Sequence, residues 1–273
     1  MGILYVVATP IGNLEDITMR AVRILKNVLL IAAEDTRHAQ ILKKHFNLSA
    51  PFTSYYEHNK AIKANVVLKA LQQGDVALIS DAGTPAISDP GVDIVRAAQQ
   101  AGFKVSPVAG PSSLTAAISA AGIAAPHYLF LGFLPVKGKE RRKIIEQLKN
   151  ESAAAIIYEA PHRLSKTLAE LAETLGNDRE IAVARELTKL YEEIWRGNLQ
   201  EAVAWSYGKK GEIVLILAPS AIDKKDRAQS LADTQKILKE LKEQGFGAKE
   251  ATAMAVIQTK QSKKMLYQLF LQL

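Results

Sequence analysis

Short apolar runs end in polar, glycine- or proline-bearing turns, each followed by a longer amphipathic run, and this unit repeats along most of the 273-residue chain. That alternation constrains the fold more than any other feature. Continuous apolar strands separated by helices form a mostly parallel sheet covered on both faces. Residues 3–8, 28–32, 76–80 and 103–108 read as strands, and 18–26, 36–45, 60–73, 92–101 and 112–121 as helices. Asp35 is the expected N-cap of the second helix. Gly74 is expected to stop the third as a C′ glycine, and Gly102 to end the fourth.

Residues 122–127 hold Ala, Pro and Gly without periodicity and read as a link to a second lobe. That lobe has expected strands at 128–131, 153–158, 181–184, 191–196 and 212–217, and helices at 139–149, 163–175 and 199–207. Two successive strands imply an antiparallel element, so the second lobe is mixed α/β. After Pro219 three amphipathic helices follow, at 228–244, 248–258 and 262–271. The expected division is therefore an α/β lobe over 1–122, a mixed α/β lobe over 128–222 and a helical module over 223–273.

Composition closes several routes. There is no cysteine, which excludes disulfide frameworks, thiolate metal sites and Cys nucleophiles, and five histidines without metal-ligand spacing point to no metal. The apolar N-terminus has no basic leader and breaks at Pro10, Gly12 and Asn13, which fits a buried strand. No apolar run reaches the roughly 18 residues of a bilayer span. No membrane association and cytoplasmic residence are the expectations. A formal charge of +7 makes an anionic partner plausible, although many enzymes carry a mild basic excess.

In doubly wound sheets ligands sit beyond the carboxyl ends of the strands, so the polar loops there hold the candidates. Residues 9–14 form an ordinary strand-to-helix turn or a loop whose backbone approaches a ligand. Glu34, Asp35, Thr36, Arg37 and His38 crowd a helix start with more polar groups than a cap needs. The stretch Ser80-Asp81-Ala82-Gly83-Thr84-Pro85, running on to Ser88-Asp89-Pro90-Gly91, is neither a dinucleotide fingerprint nor a Walker loop, yet its small residues leave backbone groups open to a ligand. Ser112 opens a helix and reads as its N-cap. Tyr158–Arg163 and Ala184–Lys189 each put Arg and Glu just past an apolar strand, either as solvated ion pairs or as walls of one polar cleft. Basic residues cluster at Lys137, Lys139, Arg141, Arg142 and Lys143, and again at Lys260, Lys263 and Lys264 near Tyr267. Both sets suit a charged helix face or a phosphate backbone.

Taken together, Thr-Pro-Ile-Gly-Asn-Leu at 9–14, Ala-Ala-Glu-Asp-Thr-Arg-His at 32–38, Ser-Asp-Ala-Gly-Thr-Pro at 80–85, Tyr-Glu-Ala-Pro-His-Arg at 158–163, Ala-Arg-Glu-Leu-Thr-Lys at 184–189 and Lys-Gly-Glu-Ile-Val-Leu at 210–215 are specific in order and spacing. The chain resembles the tetrapyrrole methylase superfamily, and within it the branch that methylates a ribose 2′-hydroxyl of a decoding-centre cytidine in small-subunit ribosomal RNA. The Thr-Pro-Ile-Gly-Asn loop replaces the Gly-x-Gly-Pro-Gly loop with which porphyrinoid methylases often begin. The resemblance implies two α/β lobes of the class III S-adenosylmethionine methyltransferase type plus a helix-turn-helix-like extension. It also implies a homodimer, with S-adenosyl-L-methionine bound between the lobes and ribosomal RNA or the 30S particle as partner. Cofactor contacts carry over to Pro10, Asp81, Ala82, Gly83, Ile87, Ser112, Ser113, Tyr158, Glu159, Arg185, Glu186, Glu212 and Ile213. Asp35, His38, His58 and Glu186 are the candidate bases for the hydroxyl proton, and Arg37 and Arg185 the candidate phosphate holders. A methylase of a porphyrinoid or protein side chain, and a non-catalytic RNA-binding protein on the same fold, are the alternatives.

Overall fold

The computed structural model describes residues 2–55, 60–89, 91–220, 224–259 and 263–272. By internal contacts it divides into two compact units, Met1–Pro219 and Ser220–Leu273.

The first unit contains two five-stranded sheets. The N-terminal sheet comprises β1 (Ile3–Val7), β2 (Leu30–Ala33), β3 (Phe52–Ser54), β4 (Val76–Ile79) and β5 (Lys104–Val108), in the order β3-β2-β4-β1-β5. Every pairing is parallel. The helices α1 (Met19–Asn27) and α2 (Thr36–His45) cover one face, packing Leu25 and Leu42 against Val7, Ile31 and Ile79. The other face is covered by α3 (Lys60–Leu71) and α4 (Val92–Gln100), which pack Leu71 and Ile94 against Leu4 and Leu78. Apolar area is thus removed from water on both sides, as the continuous apolar strands require.

The edge strand β3 was not expected. It is three residues long, two of them polar, and gives no period to read. Gly74 also differs from expectation. α3 ends at Leu71, and Gly74 is not among the residues at positive φ. What fixes glycine in this corner is a close approach of chain: a Cβ on Gly2 would overlap the Gly74 carbonyl. Gly102, at φ +80°, closes α4 as read.

The C-terminal sheet comprises β6 (Tyr128–Phe133), β7 (Ala154–Glu159), β8 (Glu180–Arg185), β9 (Glu193–Asn198) and β10 (Ile213–Leu217), in the order β6-β7-β10-β8-β9. Only β6 and β7 pair in parallel. Side chains alternate strictly. Ile157, Val183 and Leu215 face α6 (Lys139–Gln147), α7 (Leu164–Leu175) and α8 (Leu199–Trp205). Ala154, Ala182, Ala184 and Ala218 face the opposite way, and this small-residue surface receives α5 (Ser113–Ala121) through Ala117 and Ala121. The helix that follows the first sheet in sequence therefore packs on the second, and the two sheets share one body. The basic cluster of α6 is broken by packing. Arg141 turns inward, 4% exposed, donating to Glu170 at 2.7 Å, to Thr167 Oγ1 at 2.9 Å and to the Pro135 carbonyl at 3.1 Å.

The second unit contains α9 (Lys224–Glu243), α10 (Ala248–Thr259) and α11 (Lys263–Gln272), packed through Leu238, Leu241, Ala255, Leu266 and Phe270. Among the described residues no helix is long and apolar enough to cross a membrane.

Candidate functional site

Because all strands of the first sheet run the same way, the loops after β1, β2, β4 and β5 leave at one end. Thr9 and Gly83 exchange both backbone hydrogen bonds, at 2.9 and 3.0 Å, and so clamp the β1 loop to the β4 loop. Gly83 sits at φ +75°, where a Cβ would press on Ile11 at 3.3 Å. Thr84 Oγ1 donates to the Pro111 carbonyl at 3.1 Å, bringing in the start of α5. Ser112 holds the N-cap position of α5 but makes no capping hydrogen bond, so its hydroxyl is not spent on the helix end.

The second sheet meets these loops at three places. Ser113 Oγ and Tyr158 OH lie 2.9 Å apart, joining α5 to the end of β7. The Asn13 amide donates to Thr188 Oγ1 at 3.1 Å, and a Cβ on Gly12 would come within 2.7 Å of the same oxygen. A bulge between Phe130 and Gly132 in β6 puts Gly132, at φ +61°, where a Cβ would lie 2.9 Å from Ser88 Oγ.

Between the two sets of loops is a cleft of about 600 Å3. Among the described residues five non-glycines have positive φ, and four of them lie in these loops: Ala86, Ser88, Glu186 and Thr188. Such conformations cost roughly 1–3 kcal/mol each and persist where the surroundings over-determine them, commonly at ligand sites.

Of the residues singled out from sequence, Ala82, Gly83, Ile87, Ser112, Ser113, Tyr158, Glu159, Glu186, Glu212 and Ile213 line this cleft. Others do not. Pro10 is buried. Asp81 lies at the edge, where its Oδ1 accepts from the Asp35 amide at 2.9 Å. Arg185 is engaged by Glu193 at 3.1 Å and by the Lys210 carbonyl at 3.1 Å. Asp35 caps α2 through the Arg37 amide at 2.8 Å and holds the Arg37 guanidinium at 2.6 Å, with Arg37 88% exposed. The His38 side chain and all of His58, together with Lys260 and the Lys264 side chain, lie outside the described residues. The cleft also takes in Asp89, Leu187 and Lys189, which lie in loops read from the sequence but were not carried over as contacts, and Phe133, which lay in none of them. Phe133 carried no sequence signal, because the expected strand stopped at Leu131 and the bulge that carries it onward is invisible in composition.

Two of the lining carboxylates are taken by other partners. Glu159 Oε1 accepts from the Ala160 amide at 2.8 Å and from Arg163 at 3.1 Å, and its Oε2 from Thr167 at 2.5 Å. Its side chain is fully buried, so it anchors the β7–α7 turn. Glu186 Oε1 accepts from the Glu212 amide at 2.9 Å and from Lys189 at 3.0 Å. Burial acts to raise this carboxyl, but the Glu212 amide, Lys189 and Arg185 outweigh it and hold it below the usual range. That makes Glu186 a poor proton acceptor and a good tether.

The opposite holds on the first sheet. Burial pushes Glu34 up, and Asp81, Asp89 and Asp35 push the same way against one hydrogen bond from the Asp81 amide. Burial raises Asp89 as well, opposed by Ser80 and reinforced by Asp81. Tyr158 is raised by burial against the Ser113 hydrogen bond. A cation entering the cleft beside Asp89 would relieve this repulsion. The walls are otherwise apolar, from Ile11, Ile87, Phe133, Leu187, Ile213 and Val214. Among the described residues no group of three or more His, Asp or Glu side chains is placed to hold a metal ion.

Residues 3–203 match the family of Tetrapyrrole (Corrin/Porphyrin) Methylases. The chain is 44% identical over its whole length to the Ribosomal RNA small subunit methyltransferase I of Synechocystis sp., covering 99% of that protein. It is also 44% identical over 98% of its length to the protein of the same name from Pasteurella multocida, covering 96% of it. In fold, 81% of the chain superposes with a TM-score of 0.57 and 17% identity on 99% of the uroporphyrin-III C-methyl transferase from Thermus thermophilus, a crystal structure complexed with S-adenyl homocysteine.

Proposed function

The chain belongs to the tetrapyrrole (corrin/porphyrin) methylase family, and on that premise we propose that it is an S-adenosylmethionine-dependent methyltransferase of small-subunit ribosomal RNA. The reading is carried by end-to-end likeness to relatives bearing that name, because the likeness extends past Pro219 into the helical unit. We further propose the ribose 2′-hydroxyl of a decoding-centre cytidine as acceptor, the RNA or the 30S particle as substrate, a homodimer as the working form and the cytoplasm as its place.

The cleft fits the cofactor this implies. About 600 Å3 is the size of a small-molecule site, its walls are apolar enough for a flat base, and Asp89 offers negative charge to a positively charged donor. When bound, S-adenosylmethionine supplies an electrophilic methyl group on a sulfonium. The 82–87 loop, Ser112, Ser113, Tyr158 and the 212–213 backbone would hold it. Holding donor and acceptor in line contributes roughly 7–11 kcal/mol toward the barrier.

The 34–38 loop handles the ribose in this scheme. Asp35 orients Arg37, whose exposed guanidinium is the phosphate holder. Arg185 does not share that role, since its side chain is only 17% exposed and is held by both Glu193 and the Lys210 carbonyl. Glu186 tethers loops and does not take the hydroxyl proton. The helical unit adds salt-sensitive affinity, and deletion of residues 223–273 is expected to flatten the salt dependence of RNA binding.

The test is methyl transfer from labelled S-adenosylmethionine to unmodified small-subunit RNA, to 30S particles and to a uroporphyrinoid. Label in an alkali-resistant ribose of the RNA or particle is the expected outcome. Label in the porphyrinoid alone overturns the reading.

A further inference from the structure

Outside the cleft, a shallow groove of about 650 Å3 runs between α1, the turn before it and the end of α2. We propose that it is a second RNA subsite, holding an unpaired nucleotide that flanks the methylated one; this rests on the proposed function.

The floor of the groove is apolar, with Val22 and Phe46, and Met19 at its rim is 89% exposed. Arg23 and Lys26 line it from α1, three residues apart and so on one helix face, His45 lines it from α2, and Glu15 is the one carboxylate of the lining among the described residues. Lys43 and Lys44 precede His45 in the last turn of α2. The ion pairs formed among the described residues leave out Arg23, Lys26 and Lys44. Cations around an apolar floor with an aromatic edge match a nucleotide, which presents phosphate to the rim and a flat base to the floor. The basic run of α6 loses Arg141 to the interior.

Position supports the assignment. α2 starts at Asp35, whose amide is bonded to Asp81 at the edge of the cleft, and ends beside the groove at His45. Ten helical residues span about 15 Å. That is no more than about four nucleotides at a stacked spacing of roughly 3.4 Å. The lining is net positive, Arg23 and Lys26 against Glu15, so charge favours RNA over a second copy seated here on a two-fold axis.

The test uses the full chain with Arg23→Ala and Lys26→Ala combined, and separately Met19→Glu, all at exposed positions. Binding to unmodified small-subunit RNA is measured across a salt series, S-adenosylmethionine affinity by calorimetry, and oligomeric state by sedimentation. The double variant is expected to lose about ten-fold in RNA affinity near physiological salt and about 1.4 in the salt slope, two phosphates at roughly 0.7 each. Met19→Glu is expected to weaken RNA binding at least about five-fold, because it sets an anion at the rim where the phosphate is held. Cofactor affinity stays unchanged. The wild-type protein is assayed for methyl transfer in parallel. If it methylates the RNA while both variants bind with unaltered affinity and slope, the groove assignment is overturned and the function stands. Altered oligomeric state with an intact salt slope assigns the groove to a second copy and overturns it too. If the wild type transfers no methyl to RNA or particle, the function itself falls.

Discussion

The two sheets carry carboxylates of opposite character, with Asp89 and Glu186 in the cleft itself and Glu34 and Glu193 outside its lining. On the parallel sheet Glu34 and Asp89 are pushed up by burial and by each other's neighbours. On the mixed sheet Glu186 and Glu193 are held down. Burial opposes this at both, but amide and lysine partners prevail at Glu186, as Lys209, Trp205 and Arg185 do at Glu193. Among the described residues, Glu34 and Asp89 have carboxylates as their charged neighbours, whereas Glu186 and Glu193 are each matched with cationic donors. The acidic side is the one suited to attract a cationic ligand; the matched side holds its own loops in place.

The largest test of this contrast is Glu159→Ala. Removing the anion that Arg163 and Thr167 share breaks a buried pair, and urea unfolding should show a loss of about 3–5 kcal/mol. A loss below about 1 kcal/mol would mean that the matched side is not held by its ion pairs. Arg37→Ala addresses the exposed side. It is expected to cut RNA methyl transfer by about 100-fold through loss of substrate positioning, with unchanged melting temperature and unchanged cofactor affinity by calorimetry. An equal loss of cofactor affinity would move Arg37 out of substrate binding.

Glu186→Gln keeps a bond to the Glu212 amide but gives up the Lys189 ion pair, and should destabilise by about 1 kcal/mol at pH 7. The smallest effects are the most discriminating. A carboxyl held below its unfolded pKa stabilises the fold above that value, and the contribution fades as pH falls through the folded one. So the deficit of Glu186→Gln should disappear on acidification below about pH 4. A carboxyl pushed above its unfolded pKa stabilises only while protonated, and that contribution is lost as pH rises through the folded value. Glu34→Gln should therefore gain stability at pH 7, by no more than about 1 kcal/mol, and match the wild type in acid. Melting curves from pH 3 to 8 check both signs, and like signs for the two variants would erase the contrast.

Sequence reading reached further into one sheet than the other, for a physical reason. Parallel strands share an exit end, so placing Asp81, Ala82 and Gly83 after β4 and Ser112 after β5 already puts them together. In the mixed sheet β10 runs against both neighbours, with Ile213 opposite Glu159 on one side and Arg185 on the other. Glu212 therefore reaches Glu186 from the start of a strand, which a rule about strand ends does not anticipate. Charge alone could not separate Arg141, buried on Glu170, from Arg142 beside it on the surface. The six-residue β9 begins at Glu193 although 191–196 was expected, because Tyr191 looks like strand material while Glu193 is committed to three side-chain donors. Capping was legible at Asp35, where one short side chain meets one local amide, and less so at Ser112, whose hydroxyl makes no capping bond.

The near contact of Gly132 with Ser88 gives an experimentalist a handle. The chain has no native cysteine, so a single thiol introduced at Ser88 can carry a fluorophore or spin label without background. A second thiol cannot replace Gly132 silently, because its Cβ would already crowd residue 88 across the seam. A label on Ser88 would therefore report, through its own mobility and surroundings, whether the seam between the two sheets loosens or tightens when ligand is added.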